Sequence, residues 1–186
     1  MEYVQLVNND IDAEQLKRET FDLLNSHNLS NYQQVSLTSI SGDNDWQCSV
    51  GKIHLLDKPE RFYSTLNQAL HGTYIESLIN RYPNYYRWRL LRLEPRETYT
   101  VHADSQGNML NYRMHIPIVT NDQAYLAFCT ATPSNKSNIM FYFEHLAAGN
   151  SYIVNTTNFH TAVNYGKETR YHIVGVRYEN SNHRTH

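Results

Sequence analysis

Cysteine is scarce: Cys48 and Cys129 are the only two in 186 residues, far apart and with no CxxC pair. That argues against a disulfide framework and leaves no thiolates at zinc-site spacing. Long apolar runs are missing, so no segment reads as membrane-spanning. The first residues, MEYVQLVNNDIDAEQ, lack the basic and apolar regions of a secretory leader. The expectation is a soluble, cytoplasmic protein with free thiols. Neither sign of charge predominates, since 16 Lys and Arg stand against 18 Asp and Glu for a net charge of −2. A broad electrostatic footprint for nucleic acid or a membrane surface is therefore not expected. Charged residues make up only 18% while aromatics reach 12%, the reverse of the balance that keeps a chain disordered. Internal repeats and low-complexity tracts are absent too.

What remains is a chain long enough for one domain with a sizeable core. It has ten histidines, whose meaning depends on where they fall. Residues 1–84 carry helical signals. Asp10 or Asp12 can cap a helix running to about Asn25, with Leu16, Phe21 and Leu24 on its apolar side. A second helix is predicted from Pro59, because Phe62, Leu66 and Leu70 recur four apart, with continuation past Gly72 to Pro83. Val35–Ile40 and Trp46–Val50 read as short strands between them.

From Tyr85 the period becomes two. Tyr86, Trp88 and Leu90 alternate with Arg87 and Arg89, which reads as a strand with one covered face. Further strands are expected at 99–103, 112–119, 124–130, 139–144, 151–154, 161–163 and 170–178. Turn residues separate them, including Ser105-Gln106-Gly107-Asn108, Pro133-Ser134-Asn135 and Tyr165-Gly166-Lys167. Helices first and many short strands afterwards indicate one domain, a β-rich sandwich or barrel over 85–178 with a polar tail at 179–186.

Three histidine-bearing motifs carry chemistry. In His102-Ala103-Asp104 an imidazole and a carboxylate lie two apart, on one face of a strand. Alone this is as well read as a surface pair near Gly107. His160, 58 residues on, would complete a two-His, one-carboxylate triad, which leaves adjacent metal positions open. Taken alone, His160 reads as a core or rim histidine. Arg170 follows after ten more residues and could offer a fork to a carboxylate, or simply end a strand in water. Arg113 and His115 form another alternating polar pair on an apolar strand, costly in a core unless something anionic meets them.

Taken in order, Leu93-Glu94-Pro95, His102-Ala103-Asp104, Arg113-Met114-His115-Ile116-Pro117, Thr120-Asn121, His160-Thr161-Ala162-Val163-Asn164 and Arg170-Tyr171-His172 resemble one family. It is the aspartyl/asparaginyl β-hydroxylase family of Fe(II)- and 2-oxoglutarate-dependent oxygenases, and the match spans a little under half of the chain. The resemblance implies a double-stranded β-helix (jelly-roll, cupin-like) core and iron ligands at His102, Asp104 and His160. It also implies a cosubstrate carboxylate held by Arg170 and a pocket lined by Arg113 and His115. The implied reaction consumes O2 and 2-oxoglutarate and hydroxylates an unactivated carbon. Some members lack the middle carboxylate, which Asp104 supplies here; the turn before the first His commonly has Pro-Gly, and here it is Pro95-Arg96.

Substrate contacts are expected at Arg87, Arg89 and Trp88, an arginine and aromatic surface that suits an anionic or amino-acid substrate. The expected substrate class is an amino acid, peptide or protein; the arginines could equally decorate a solvated strand face. Two rival readings stay open. One is a non-catalytic jelly-roll module that binds metal and 2-oxoglutarate as a sensor. The other is a cupin-type metalloenzyme without 2-oxoglutarate, in which Arg170 would have no evident task.

Overall fold

The structure is a computed structural model and describes residues 3–52, 55–104, 109–130 and 139–180. The first part of the chain contributes β1 (Val4–Asn8), α1 (Ala13–Ser26), β2 (Gln34–Ser36), β3 (Thr38–Ser39), β4 (Thr65–Leu66) and α2 (Tyr74–Asn80). The second contributes β5 (Tyr86–Leu93), β6 (Glu97–Thr98), β7 (Met109–Val119), β8 (Ala124–Cys129) and β9 (Phe141–Glu144). It closes with β10 (Ser151–Asn155), β11 (Phe159–Asn164) and β12 (Arg170–Asn180). A six-stranded major sheet has the order β1-β10-β7-β12-β5-β2, and a four-stranded minor sheet the order β6-β11-β8-β9. The pairings are antiparallel, and the two sheets make the jelly-roll core that the sequence led us to expect. Among the described residues no helix is long and apolar enough to cross a membrane.

The major sheet is covered on both sides, so its strands sort their residues by alternation. On the outer face Met114, Ile116 and Ile118 of β7 and Tyr171 and Ile173 of β12 pack beneath Leu16, Leu24, Leu78 and Ile79 of the helices. The residues between them, Arg113, His115, Arg170, His172 and Val174, face a cavity between the sheets. Beside that cavity Leu126, Phe128 and Ala162 of the minor sheet meet Leu93, Tyr152 and Val154 in a second core. Asn164, fully buried, donates to the carbonyls of Leu93 (3.1 Å) and Glu168 (2.8 Å) and accepts from Asn121 (3.1 Å). It thereby ties the start of β12, and Arg170 with it, to the end of β5.

Asp12, not Asp10, caps α1, its carboxylate accepting the Gln15 N–H at 2.9 Å. The long second helix does not form. Glu60–Phe62 and Gln68–Leu70 are single 3-10 turns with β4 between them, and only Tyr74–Asn80 is α-helical. Tertiary hydrogen bonds outcompete helical ones there: the Tyr63 carbonyl accepts from Thr38 Oγ1 (2.8 Å) and the Arg87 N–H (2.7 Å), and Asn67 donates to Ser36 and Leu37 carbonyls. Trp46–Val50 is a run of turns rather than a strand. Val35–Ile40 splits into β2 and β3, and β1 adds an unexpected edge to the major sheet. The expected turns at Ser105–Asn108 and Pro133–Asn135, and residues 181–186, lie outside the described residues; β12 runs through Asn180. Arg96 adopts φ 64°, the left-handed conformation that glycine takes without strain, so this turn does without its usual glycine.

β5 does not have one dry and one wet face. Arg87, Trp88, Arg89 and Leu90 are all buried, because the cavity side is covered as well. Arg87 takes φ 50° and the register with β12 shifts between Val174 and Val176, a bulge that sets two β5 residues against Gly175. Trp88, expected at the substrate site, points to the opposite face and packs in the helix-side core. A Cβ on Gly175 would lie 2.8 Å from the Trp88 ring. Gly175→Ala should therefore overpack this contact and cost about 1–3 kcal/mol, read as a lowered midpoint in chemical denaturation.

Candidate metal centre

The minor sheet delivers two imidazoles to one point. His102 joins β11 through a pair of main-chain hydrogen bonds with His160, at 3.0 and 2.8 Å, and their ring centroids are 4.5 Å apart. Asp104 follows on the same side, its N–H held by the Thr156 carbonyl at 2.9 Å. One candidate ligand atom from each of His102, Asp104 and His160 lies within 4.8 Å of the others. Each imidazole turns Nδ1 to the carbonyl two residues before it, His102 to Thr100 (2.8 Å) and His160 to Asn158 (2.9 Å). A carbonyl only accepts, so these bonds place the proton on Nδ1 and leave the Nε2 lone pairs for a metal. The donor set, two neutral nitrogens and a carboxylate with open positions beside them, fits a divalent iron.

Charge reinforces that arrangement. Arg113 donates to Asp104 Oδ2 from Nε and Nη2, both at 2.9 Å, which leaves Oδ1 free, 3.6 Å from His102 Nε2. Burial works against ionisation of Asp104, but Arg113, the two imidazoles and a Thr156 hydrogen bond outweigh it and hold the carboxyl below its ordinary value. Burial keeps His160 below its ordinary value despite Asp104, and so in the neutral form that binds metal. Arg113 also lies 3.6 Å from Glu60, which in turn pairs with Arg87. Arg87 is further held by the carbonyls of Ser49 and Gly51, both at 2.8 Å. All three of its nitrogens are engaged by the protein, which clamps the segment before β4 over the cavity.

The cavity, of about 1060 Å³, runs from these ligands along the inner face of the major sheet. Arg170, His172 and His115 line it together. Arg170 Nε donates to His172 Nε2 at 3.0 Å, and no carboxylate pairs with this buried guanidinium among the described residues. Burial brings Arg170 down to about 10, and burial together with Arg170 keeps His115 and His172 neutral, well below their ordinary values. Tyr99, half-buried on the minor-sheet side, lies near the guanidinium groups of Arg170 and Arg89.

Arg89 lines the cavity as well and donates to Gln34 Oε1 at 2.9 Å. The site thus gathers all of the sequence-predicted residues except Trp88. It adds Glu60 and Gln34, which carry no motif and come from segments remote in sequence, and Tyr99, just before His102 in the chain. The other described histidines stay local: His27 stacks near Trp46, His71 pairs with Glu76, and His145 meets the Ala124 carbonyl. His54, His183 and His186 lie outside the described residues.

No protein-family model matches the sequence, and no curated protein matches it. Solved structures do match. The non-heme alpha ketoglutarate dependent epimerase SnoN from nogalamycin biosynthesis is 13% identical, with a TM-score of 0.54 over 96% of this chain and 77% of that one. AviO1 from Streptomyces viridochromogenes Tue57 is 9% identical, with a TM-score of 0.55 over 95% of this chain and 89% of that one. The carbocyclase SnoK, also from nogalamycin biosynthesis, is matched over only 49% of its length. None of these names points to the aspartyl/asparaginyl β-hydroxylase family. At these identities the likeness is one of fold: this chain shares its jelly-roll core with SnoN and AviO1.

Proposed function

We propose that this chain is an Fe(II)- and 2-oxoglutarate-dependent dioxygenase, a hydroxylase of an unactivated carbon in an amino-acid, peptide or protein substrate. One observation carries the reading: His102, Asp104 and His160 converge at a cavity that also holds Arg170, a buried guanidinium with no carboxylate partner among the described residues. His102, Asp104 and His160 would hold the iron. Arg170 would take the distal carboxylate of 2-oxoglutarate, with His172 orienting its guanidinium and Tyr99 facing it. When bound, iron and 2-oxoglutarate supply O2-driven oxidative decarboxylation to succinate and CO2, with one oxygen atom delivered to the substrate C–H. SnoN is described in complex with Fe3+, alpha ketoglutarate and nogalamycin RO, in the same fold with a TM-score of 0.52.

The protein's own residues bind and orient. Arg113 keeps Asp104 ionised and turns one of its oxygens away from the metal position. The carbonyls of Thr100 and Asn158 fix the imidazole tautomers. Neutral His115 and His172 line the cosubstrate's side of the cavity without adding charge, and the apolar wall of Leu93, Leu126 and Ala162 keeps it dry. The residues that resemble the aspartyl/asparaginyl β-hydroxylases favour hydroxylation over the epimerisation named for SnoN. Product mass separates the two, since hydroxylation adds one oxygen atom and epimerisation leaves the mass unchanged.

Addition of Fe(II) and 2-oxoglutarate without oxygen should produce a visible charge-transfer band, and aeration with substrate should release succinate. His160→Ala or removal of iron with a chelator should abolish both signals, and a wild-type protein that shows no band would refute the reading. Arg170→Gln should raise the Kd for 2-oxoglutarate about 100-fold, the loss of roughly 3 kcal/mol expected when one partner of a buried charge pair is removed. An unchanged Kd, titrated through the same band, would remove Arg170 from the cosubstrate site.

A further inference from the structure

The cavity holds more positive charge than the proposed cofactors can use. Four guanidinium groups, from Arg87, Arg89, Arg113 and Arg170, and the ammonium groups of Lys52 and Lys58 line it, against the carboxylates of Asp57, Glu60 and Asp104. Arg87 and Arg113 are the partners of Glu60 and Asp104. A divalent iron and the dianion of 2-oxoglutarate cancel each other, so their binding leaves the positive excess in place. Of the four guanidinium groups, those of Arg170 and Arg89 have no carboxylate partner among the described residues. Arg170 has its proposed task. Arg89 has none: only 7% exposed, it hydrogen-bonds Gln34, its Nε has no partner, and no carboxylate pairs with it among the described residues. Burying a cation in this way costs stability unless an anion meets it.

Position separates the two free guanidinium groups. Arg170 lies opposite Leu93 in the β5–β12 register and Arg89 opposite Val174, four residues along β5 from Leu93. That is about 13 Å of strand. Arg89 stands on the flank of the cavity bounded by Gln34 of β2, which hydrogen-bonds both Arg89 and the Gly51 N–H of the segment that Arg87 clamps. At about 1060 Å³ the cavity exceeds what a five-carbon cosubstrate fills.

We propose that Arg89 and Gln34 form a second anion subsite, which receives a carboxylate of the substrate and makes the enzyme selective for acidic substrates. The inference rests on the oxygenase reading for what occupies the rest of the cavity. Gln34 Oε1 accepts from Arg89 Nη1 and from the Gly51 N–H and so aims the group, while the remaining terminal N–H groups are left for the incoming carboxylate. Arg89 is thus a substrate-binding residue and Gln34 a positioning residue.

Calorimetric titration of the Ni(II)-loaded protein, saturated with 2-oxoglutarate, tests this with L-aspartate and L-glutamate against L-asparagine and L-glutamine. At least one acid should bind roughly tenfold or more tightly than its amide. Arg89→Met should erase that preference and leave 2-oxoglutarate affinity within about twofold, and Arg89→Lys should restore part of the preference. Because it removes an unpaired buried charge, Arg89→Met should also raise the Tm of the ligand-free protein by about 2–4 °C, which a purely structural arginine would not do. Equal binding of acids and amides would overturn the proposal. So would an Arg89→Met protein that loses 2-oxoglutarate as Arg170→Met does, since Arg89 would then belong to the cosubstrate. The same titration without 2-oxoglutarate keeps the two readings apart: a wild type that binds no 2-oxoglutarate sinks the oxygenase reading, while an acid preference that depends on Arg89 upholds the subsite.

Discussion

The pairing of Arg113 with Asp104 is the contact on which the rest of the site depends. It joins the inner face of the major sheet to the loop that carries two of the three metal-ligating candidates, and it does so with two hydrogen bonds to one carboxylate oxygen. The other oxygen is left towards His102. Asp104 is largely withdrawn from water, which disfavours its charge, and Arg113 is the main group that restores it. Arg113 is in turn balanced by Glu60, and Glu60 by Arg87, so the chain of charges runs from the metal position to the segment that covers the cavity. Breaking any link would leave an uncompensated ion in a dry place.

Such a chain needs a rigid support, and the major sheet provides one. Its outer face is buried under α1 and α2 by aliphatic and aromatic side chains, while the inner face presents arginines and histidines to the cavity. The strands are thus held by hydrophobic burial on one side and arrange polar groups on the other. Strand alternation sends Trp88 into the core and Arg87 into the charge chain, and the bulge there sets both residues against Gly175. Asn164 performs a similar service at the other end, holding the turn that leads into Arg170.

Much of the site was legible in the sequence because strand geometry is local. Two residues apart on an extended chain means one face, so His102 with Asp104, Arg113 with His115 and Arg170 with His172 could be paired before any fold was known. The same rule misled for Trp88: alternation told that it opposes its arginine neighbours but not which side faces the cavity. Fourfold spacing of Phe62, Leu66 and Leu70 suggested a helix, yet Tyr63 and Asn67 make long-range hydrogen bonds that a helix would forbid. Glu60 and Gln34 carry no periodic signal, and their place in the cavity comes from segments brought together only by folding.

The sequence by itself determined the β-rich class of the second half, the triad residues and the arginine ten positions beyond the last of them. These follow from residue type and short spacing, which backbone geometry converts directly into shared faces. Only the tertiary structure decided that Arg113 meets Asp104, that Glu60 completes the charge chain, that Trp88 belongs to the core and that Arg89 is buried without a carboxylate. Those are statements about which charge lies next to which across the fold, and electrostatic pairing in a buried cavity depends on distances between segments that no local pattern encodes.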